Sequence, residues 1–118
     1  MPDKWRERIF VSPYCRLNYL GDSGCKTGDP LIHDSTLREG EQTPSVVFAA
    51  EDRVKIAQLL SDVKVECVEA GFPASSESEK NEVSQVVKLG LGITVYGFAR
   101  AVKGDVDAVI ESDCDGVV

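Results

Sequence analysis

The chain of 118 residues contains one histidine, one methionine and one tryptophan. A single histidine, His33, rules out a His-x-His pair of metal ligands. It also leaves no Ser–His or Cys–His couple that can be completed at strand-end positions. Basic charge is short as well. Thirteen Lys and Arg stand against twenty Asp and Glu, a net charge of −7. A nucleic-acid binder needs a basic face to displace counterions from phosphates, and an anionic membrane attracts the same kind of face, so both partners are excluded. No C-x-x-C pair occurs among the four unevenly spaced cysteines Cys15, Cys25, Cys67 and Cys114. That pattern reads as reduced thiols in a cytoplasmic protein, not as a disulfide framework or zinc site. No apolar run approaches the roughly 18 residues of a membrane span. The opening "MPDKWRERIF" carries charge where a signal peptide needs an apolar segment. Walker and G-x-S-x-G motifs are missing, and "GLGITVYG" lacks the third glycine of a dinucleotide fingerprint and leads into a strand.

What remains is a globular composition, with 42% hydrophobic and 28% charged residues, enough for one modest domain with a core. Residues 1–30 hold aromatics, Pro13 and the turn-rich "GDSGCKTGDP" without a sustained period. They read as an N-terminal arm and linker, with a short extended piece around Ile9 to Val11.

From Leu31 to Val118 strands and helices alternate. "LIHDS" is a strand. "EDRVKIAQLLSDV" is a helix with Val54, Ala57, Leu60 and Val63 on one stripe. "VKVECVEAGF" is a strand in which Val63, Val65 and Cys67 alternate with Lys64 and Glu66, which makes Cys67 a core residue. "SSESEKNEVSQVVKLG" is a helix with Ser76 and Glu79 at capping-box spacing and Gly90 at its left-handed end. "GITVYGF" is a β-branched and aromatic strand. "VKGDVDAVIESD" is a helix with Val102, Val106, Val109 and Ile110 on one face, and "DGVV" begins a fourth strand. Strands joined through helices run parallel with right-handed crossovers. The fold class is therefore α/β, either an open doubly wound sheet or roughly the first half of a (β/α)8 TIM barrel, which needs on the order of 250 residues when complete.

In both architectures ligands bind at the carboxyl ends of the strands. That rule selects Asp34, Arg38, Glu39 and Gln42 after the first strand, Glu69 near the end of the second, and Phe98 and Arg100 after the third. Carboxylates and guanidiniums gathered on one face suit a divalent cation together with an anionic substrate. Glu69 lies in an apolar strand, where an unpaired carboxylate is costly to bury. His33 precedes Asp34 and, by strand alternation, points to the opposite face, which makes it structural.

The stretch "HDSTLREGEQ" resembles the first-strand signature of the DRE-type TIM-barrel metallolyases, in the branch of 2-isopropylmalate, homocitrate and citramalate synthases, whose motif is D-x-T-L-R-[DE]-G-x-Q. "VECVEAGFPASS" and "VYGFARA" resemble the second- and third-strand segments, in the same order. The resemblance covers residues 31–118 and implies a partial TIM-barrel catalytic domain running from β1 to the start of β4. It implies a Claisen-type acyltransferase that condenses acetyl-CoA with a 2-oxo acid, converting the acyl group into an alkyl group on transfer, in leucine- or lysine-type biosynthesis. Arg38 is then catalytic and stabilises the alkoxide. Glu69 is catalytic and orients groups near the acyl-CoA. Asp34, Gln42 and Arg100 bind substrate, and Glu39 ligates a divalent metal (Mg²⁺, Mn²⁺ or Zn²⁺) acting as Lewis acid. Without the resemblance, Arg100 could equally form a salt bridge at a helix start. The resemblance also implies a cytoplasmic enzyme, a homodimer when full length.

The family's remaining metal ligands, a His-x-His pair on a late strand, and its catalytic base do not occur in these 118 residues. The expectation is that the isolated chain is inactive and that its open sheet edges favour association. The alternatives are an acyl-CoA lyase or carboxyltransferase on the same barrel, and a non-catalytic half-barrel. The "TLREGEQ" wording favours the synthases, since the lyase and carboxyltransferase relatives usually carry "RDG" with a different upstream pattern.

Overall fold

The computed structural model describes residues 31–118. The expected arm, with its extended piece at Ile9 to Val11, lies outside the described residues. Four strands, β1 (His33–Asp34), β2 (Cys67–Gly71), β3 (Thr94–Gly97) and β4 (Gly116–Val117), alternate with three helices, α1 (Ala50–Asp62), α2 (Glu77–Lys88) and α3 (Lys103–Glu111). The sheet is parallel throughout, in the order β1-β2-β3-β4. Each strand pairs with the next after one helical crossover, the repeat of the first half of a (β/α)8 barrel.

The pleat divides the strand residues between two faces. Val68 and Ala70 of β2 and Val95 of β3 turn toward the helices, where they pack with Leu37, Ala57, Val83 and Val86. Burial of one such valine or leucine is worth roughly 1.5–3 kcal/mol. The intervening positions, Glu69 and its register partner Tyr96, occupy the other face. All five β2 residues are buried, as expected of a strand flanked on both sides in a parallel sheet.

Helix ends follow local chemistry. Asp52 accepts from the Ala49 N–H at the start of α1 (3.3 Å). Ser76 accepts from the Glu79 N–H at the start of α2 (3.1 Å). Gly90 takes φ +59° after α2, the left-handed closure that a glycine adopts at no steric cost. The other two helix-to-strand turns use left-handed Lys64 and Asp113. Two residues after each comes an acid that clasps the start of an earlier strand. Glu66 accepts from Ile32 N–H (2.9 Å) and Asp115 from Val95 N–H (2.8 Å).

Three sequence readings shift. The strand expected from Val63 starts at Cys67, because α1 runs to Asp62 and Val63–Lys64 form the turn that closes it. On α1 the buried positions are Arg53 and Ala57, while Val63 is 71% exposed. On α3, Val109 is buried but Val102 and Ile110 are exposed.

Candidate functional site

β1 ends at Asp34, and the chain turns at once. The Asp34 carboxylate accepts from Thr36 N–H (2.9 Å) and Thr36 Oγ1–H (3.1 Å), while the Ser35 carbonyl accepts from the N–H groups of Arg38 and Glu39. This Asx-type turn presents Arg38 and Glu39 at the carboxyl end of the sheet and leads into a short 3₁₀ turn, Gly40–Gln42.

Arg38 is the centre of the site. Its Nε donates to Glu69 Oε2 (2.6 Å) and its Nη1 to Glu39 Oε2 (2.6 Å), and its guanidinium lies 4.8 Å from the centroid of Phe98. The hydrogen bond to Glu69 is the main reason that the guanidinium is held above its ordinary value, with partial burial opposing. Arg38 Nη2 has no hydrogen-bond partner among the described residues. Glu69 is buried, and its second oxygen, Oε1, lies 3.2 Å from His33 Nε2. His33 in turn sits 5.2 Å, ring to ring, from Tyr96. One oxygen of this buried carboxylate thus accepts from Arg38, and the other faces the ring nitrogen of His33.

The expected residues fall into two groups. Arg38, Glu39 and Glu69 come together. Asp34 shapes the turn that carries them, and Gln42 stands exposed at the end of the 3₁₀ turn. Arg100 is exposed and holds Asp105 through Nε (2.7 Å) and Nη2 (3.1 Å), with its own N–H on the same carboxylate (3.1 Å). That pairing depresses the Asp105 carboxyl below its usual range. Arg100 also lies 5.5 Å from the Phe72 ring, which meets Phe98 edge to face, so two arginines flank one aromatic pair.

Two features escape the sequence reading. His33 does not point away from the site: its ring reaches across to β2 and contacts Glu69. The signal available in the sequence is the alternation itself: His33 lies opposite Asp34 and in register with Cys67, which puts it on the face of Glu69 and Tyr96. The second feature is Arg53, 2% exposed on α1. It donates to the main-chain oxygens of Leu37 (3.4 Å) and Ala70 (3.2 Å), and pairs with Glu41 and with Glu79 Oε2 (2.8 Å). Glu82 Oε2 stands 3.0 Å from its Nε. Leu37 and Ala70 are the immediate neighbours of Arg38 and Glu69, so this buried cation ties together the two segments that carry the site. Spacing could have found it, since Arg53, Ala57 and Leu60 recur as i, i+4 and i+7.

Among the described residues no three His, Cys, Asp or Glu side chains converge as metal ligands. Glu69 Oε2 accepts from Arg38 and its Oε1 faces the His33 ring, whereas Glu39 is half exposed and its Oε1 has no partner among the described residues. These residues offer one carboxylate ligand, fewer than a hard divalent cation needs. A depression of about 640 Å³ between the starts of α2 and α3, lined by Glu77, Lys80, Asp107 and Glu111, contains none of the expected site residues. No helix among the described residues is long and apolar enough to cross a membrane.

Comparison with known proteins agrees with this architecture. The HMGL-like family model matches residues 29–118. The chain is similar to homocitrate synthase AksA of Methanopyrus kandleri, 44% identical over 88 residues, which are 75% of this chain and 22% of that protein. It is 38% identical over 112 residues to homocitrate synthase AksA of Methanothermobacter thermautotrophicus, covering 94% of this chain and 27% of the relative. A Methanopyrus kandleri protein named "Probable 2-isopropylmalate synthase" is 46% identical over 86 residues, 73% of this chain and 17% of its own length. The chain spans about a sixth to a quarter of the length of the curated relatives it matches. With parallel βα repeats, the Arg38–Glu69 strand-end pair and a family match over three quarters of its length, the chain belongs to the HMGL-like family, in the branch that holds the homocitrate and 2-isopropylmalate synthases.

Proposed function

We propose that residues 31–118 form one side of the active site of a cytoplasmic acyltransferase that condenses acetyl-CoA with a 2-oxo acid, in the manner named for the homocitrate and 2-isopropylmalate synthases. The observation that carries this reading is Arg38, fixed by a buried carboxylate through Nε, with no partner on Nη2 among the described residues, beside the half-exposed Glu39. An arginine so held is preorganised for an oxygen on which negative charge develops.

In the proposed reaction the acetyl methyl group loses a proton to a base supplied from outside the described residues. Its carbon bonds to the 2-oxo carbonyl carbon, and the carbonyl π electrons move onto oxygen, giving an alkoxide. Arg38 donates to that oxygen. Hydrolysis of the thioester then releases the CoA thiol. Glu69 keeps Arg38 in orientation, and Gln42 and Arg100 serve as polar walls for the substrate carboxylate. Asp34 sets the turn. Glu39 would hold a divalent cation together with ligands from outside the described residues; when bound, such a cation supplies Lewis-acid polarisation of the carbonyl.

The test replaces the matching segment of Methanopyrus kandleri homocitrate synthase AksA by residues 31–118 and measures thiol release from acetyl-CoA with a panel of 2-oxo acids. The expected result is release that depends on a 2-oxo acid and falls by about 10²–10³-fold with Arg38→Ala. A folded exchange protein without release, or one indifferent to Arg38→Ala, overturns the reading.

A further inference from the structure

Among the described residues two arginine–carboxylate pairs stand at strand ends, and they differ in form. Arg100 meets Asp105 side-on: Nε on Oδ2 at 2.7 Å and Nη2 on Oδ1 at 3.1 Å, both donors of one edge on both oxygens. This is the fork geometry that a guanidinium and a carboxylate prefer when nothing interferes. Arg38 presents the same edge to Glu69, yet only Nε is used, on Oε2 at 2.6 Å. The other oxygen, Oε1, lies 3.2 Å from His33 Nε2 instead. Nothing else among the described residues occupies Oε1.

We infer that His33 is a positioning residue: by engaging Oε1 of Glu69 it prevents the side-on pair with Arg38 and leaves Nη2 of Arg38 available to an oxygen of an anionic ligand. Three observations support this. Glu69 is 6% exposed, so a free Oε1 would be a buried acceptor seeking a donor, and Nη2 of Arg38 is the nearest of the right kind. The terminal torsion of a glutamate is broad, so the carboxylate can swing to take it. The His33 ring is steadied against Tyr96 at 5.2 Å, on the strand beyond Glu69, which fixes the approach of Nε2. The contact bears on catalysis only through the proposed role of Arg38, but its existence and its effect on Arg38 can be measured without reference to any reaction.

His33 is the sole histidine of the chain, so its ring signals in an isotopically labelled sample are unambiguous. In the 118-residue chain, long-range proton–nitrogen correlation places a proton on Nε2; a proton on Nδ1 alone, with Nε2 bare, overturns the proposal. The second reading is the solvent exchange of the Arg38 Nη2 protons, assigned by their loss in Arg38→Lys. His33→Leu slows that exchange roughly tenfold or more, as one added charge-assisted hydrogen bond implies. His33→Gln, whose amide N–H can replace the ring donor, leaves it within about twofold of wild type. Equal exchange in wild type and His33→Leu overturns the proposal, as does failure of His33→Gln to restore the wild-type rate. These outcomes are separate from thiol release: an inactive exchange protein with the expected exchange pattern removes the acyl-transfer reading and leaves the positioning role standing.

Discussion

Arg38 Nε lies 2.6 Å from Glu69 Oε2, joining the loop after β1 to the buried centre of β2. The bond is one of three directed contacts of a planar group: Glu39 takes Nη1 and Phe98 takes the face. A lysine places a point charge on a flexible stem and cannot reproduce that set. Arg38→Lys in the segment-exchange enzyme is therefore expected to lower thiol release by about 100-fold. Thermal unfolding should change by only a few degrees, since the residue lies at the rim of the core. Steady-state assay alongside calorimetry checks both.

Arg53 concerns stability. Its removal strands Glu41, Glu79 and Glu82 around a site that is 2% exposed, and strips a donor from the Leu37 and Ala70 carbonyls. Breaking a buried ion pair from one side costs about 3–5 kcal/mol. Arg53→Met should shift the urea midpoint accordingly. Adding Glu41→Gln and Glu79→Gln should recover part of the loss by removing the uncompensated charges.

Gly71 closes β2 at φ +152°. A Cβ there would collide with the Glu79 carboxylate and stand 2.9 Å from Val83 Cγ2. Backbone strain and overpacking together place Gly71→Ala about 1–3 kcal/mol below wild type. Because Glu79 also accepts from Phe72 N–H (3.1 Å), hydrogen exchange at Phe72 should rise in the same variant.

Burial pushes the Cys114 thiol up to about 11, with Asp115 and Asp113 adding to the effect. The thiolate is the reactive form, so alkylation of Cys114 at pH 8 should be slow and should accelerate only above pH 10. Peptide mapping by mass spectrometry distinguishes it from the other cysteines. The sign of the linked stability follows. Between the ordinary 9.0 and about 11 the unfolded chain loses this proton and the folded chain keeps it, so stability falls as pH rises through that window. Cys114→Ser should flatten the fall.

The order of elements, the parallel sheet and the grouping of Arg38, Glu39 and Glu69 were legible in the sequence, because periodicity and the strand-end rule act locally. What was hidden depends on register. His33 does lie opposite Asp34, as alternation requires, but the register puts Asp34 beside Val68 on the helix side and His33 beside Cys67 on the face that carries Glu69. Val63 alternates with Val65 and Cys67 as a strand would, yet it caps the end of α1, its N–H donating to the Leu59 carbonyl. Arg53 escapes a local reading because its three acidic partners come from the 3₁₀ turn and from α2, as many as 29 positions away along the chain. The second half of the capping box at Ser76 does not form, since Arg53 and Phe72 N–H claim the Glu79 carboxylate first.

Glu66 and Asp115 clasp Ile32 and Val95 at the amino ends of the strands, whereas Arg38 and Glu69 meet at the carboxyl side. The two sets share no hydrogen bond. Loops on the carboxyl side can therefore diverge under selection for new substrates while the clasps keep the strands in register, so the separation gives the scaffold evolvability.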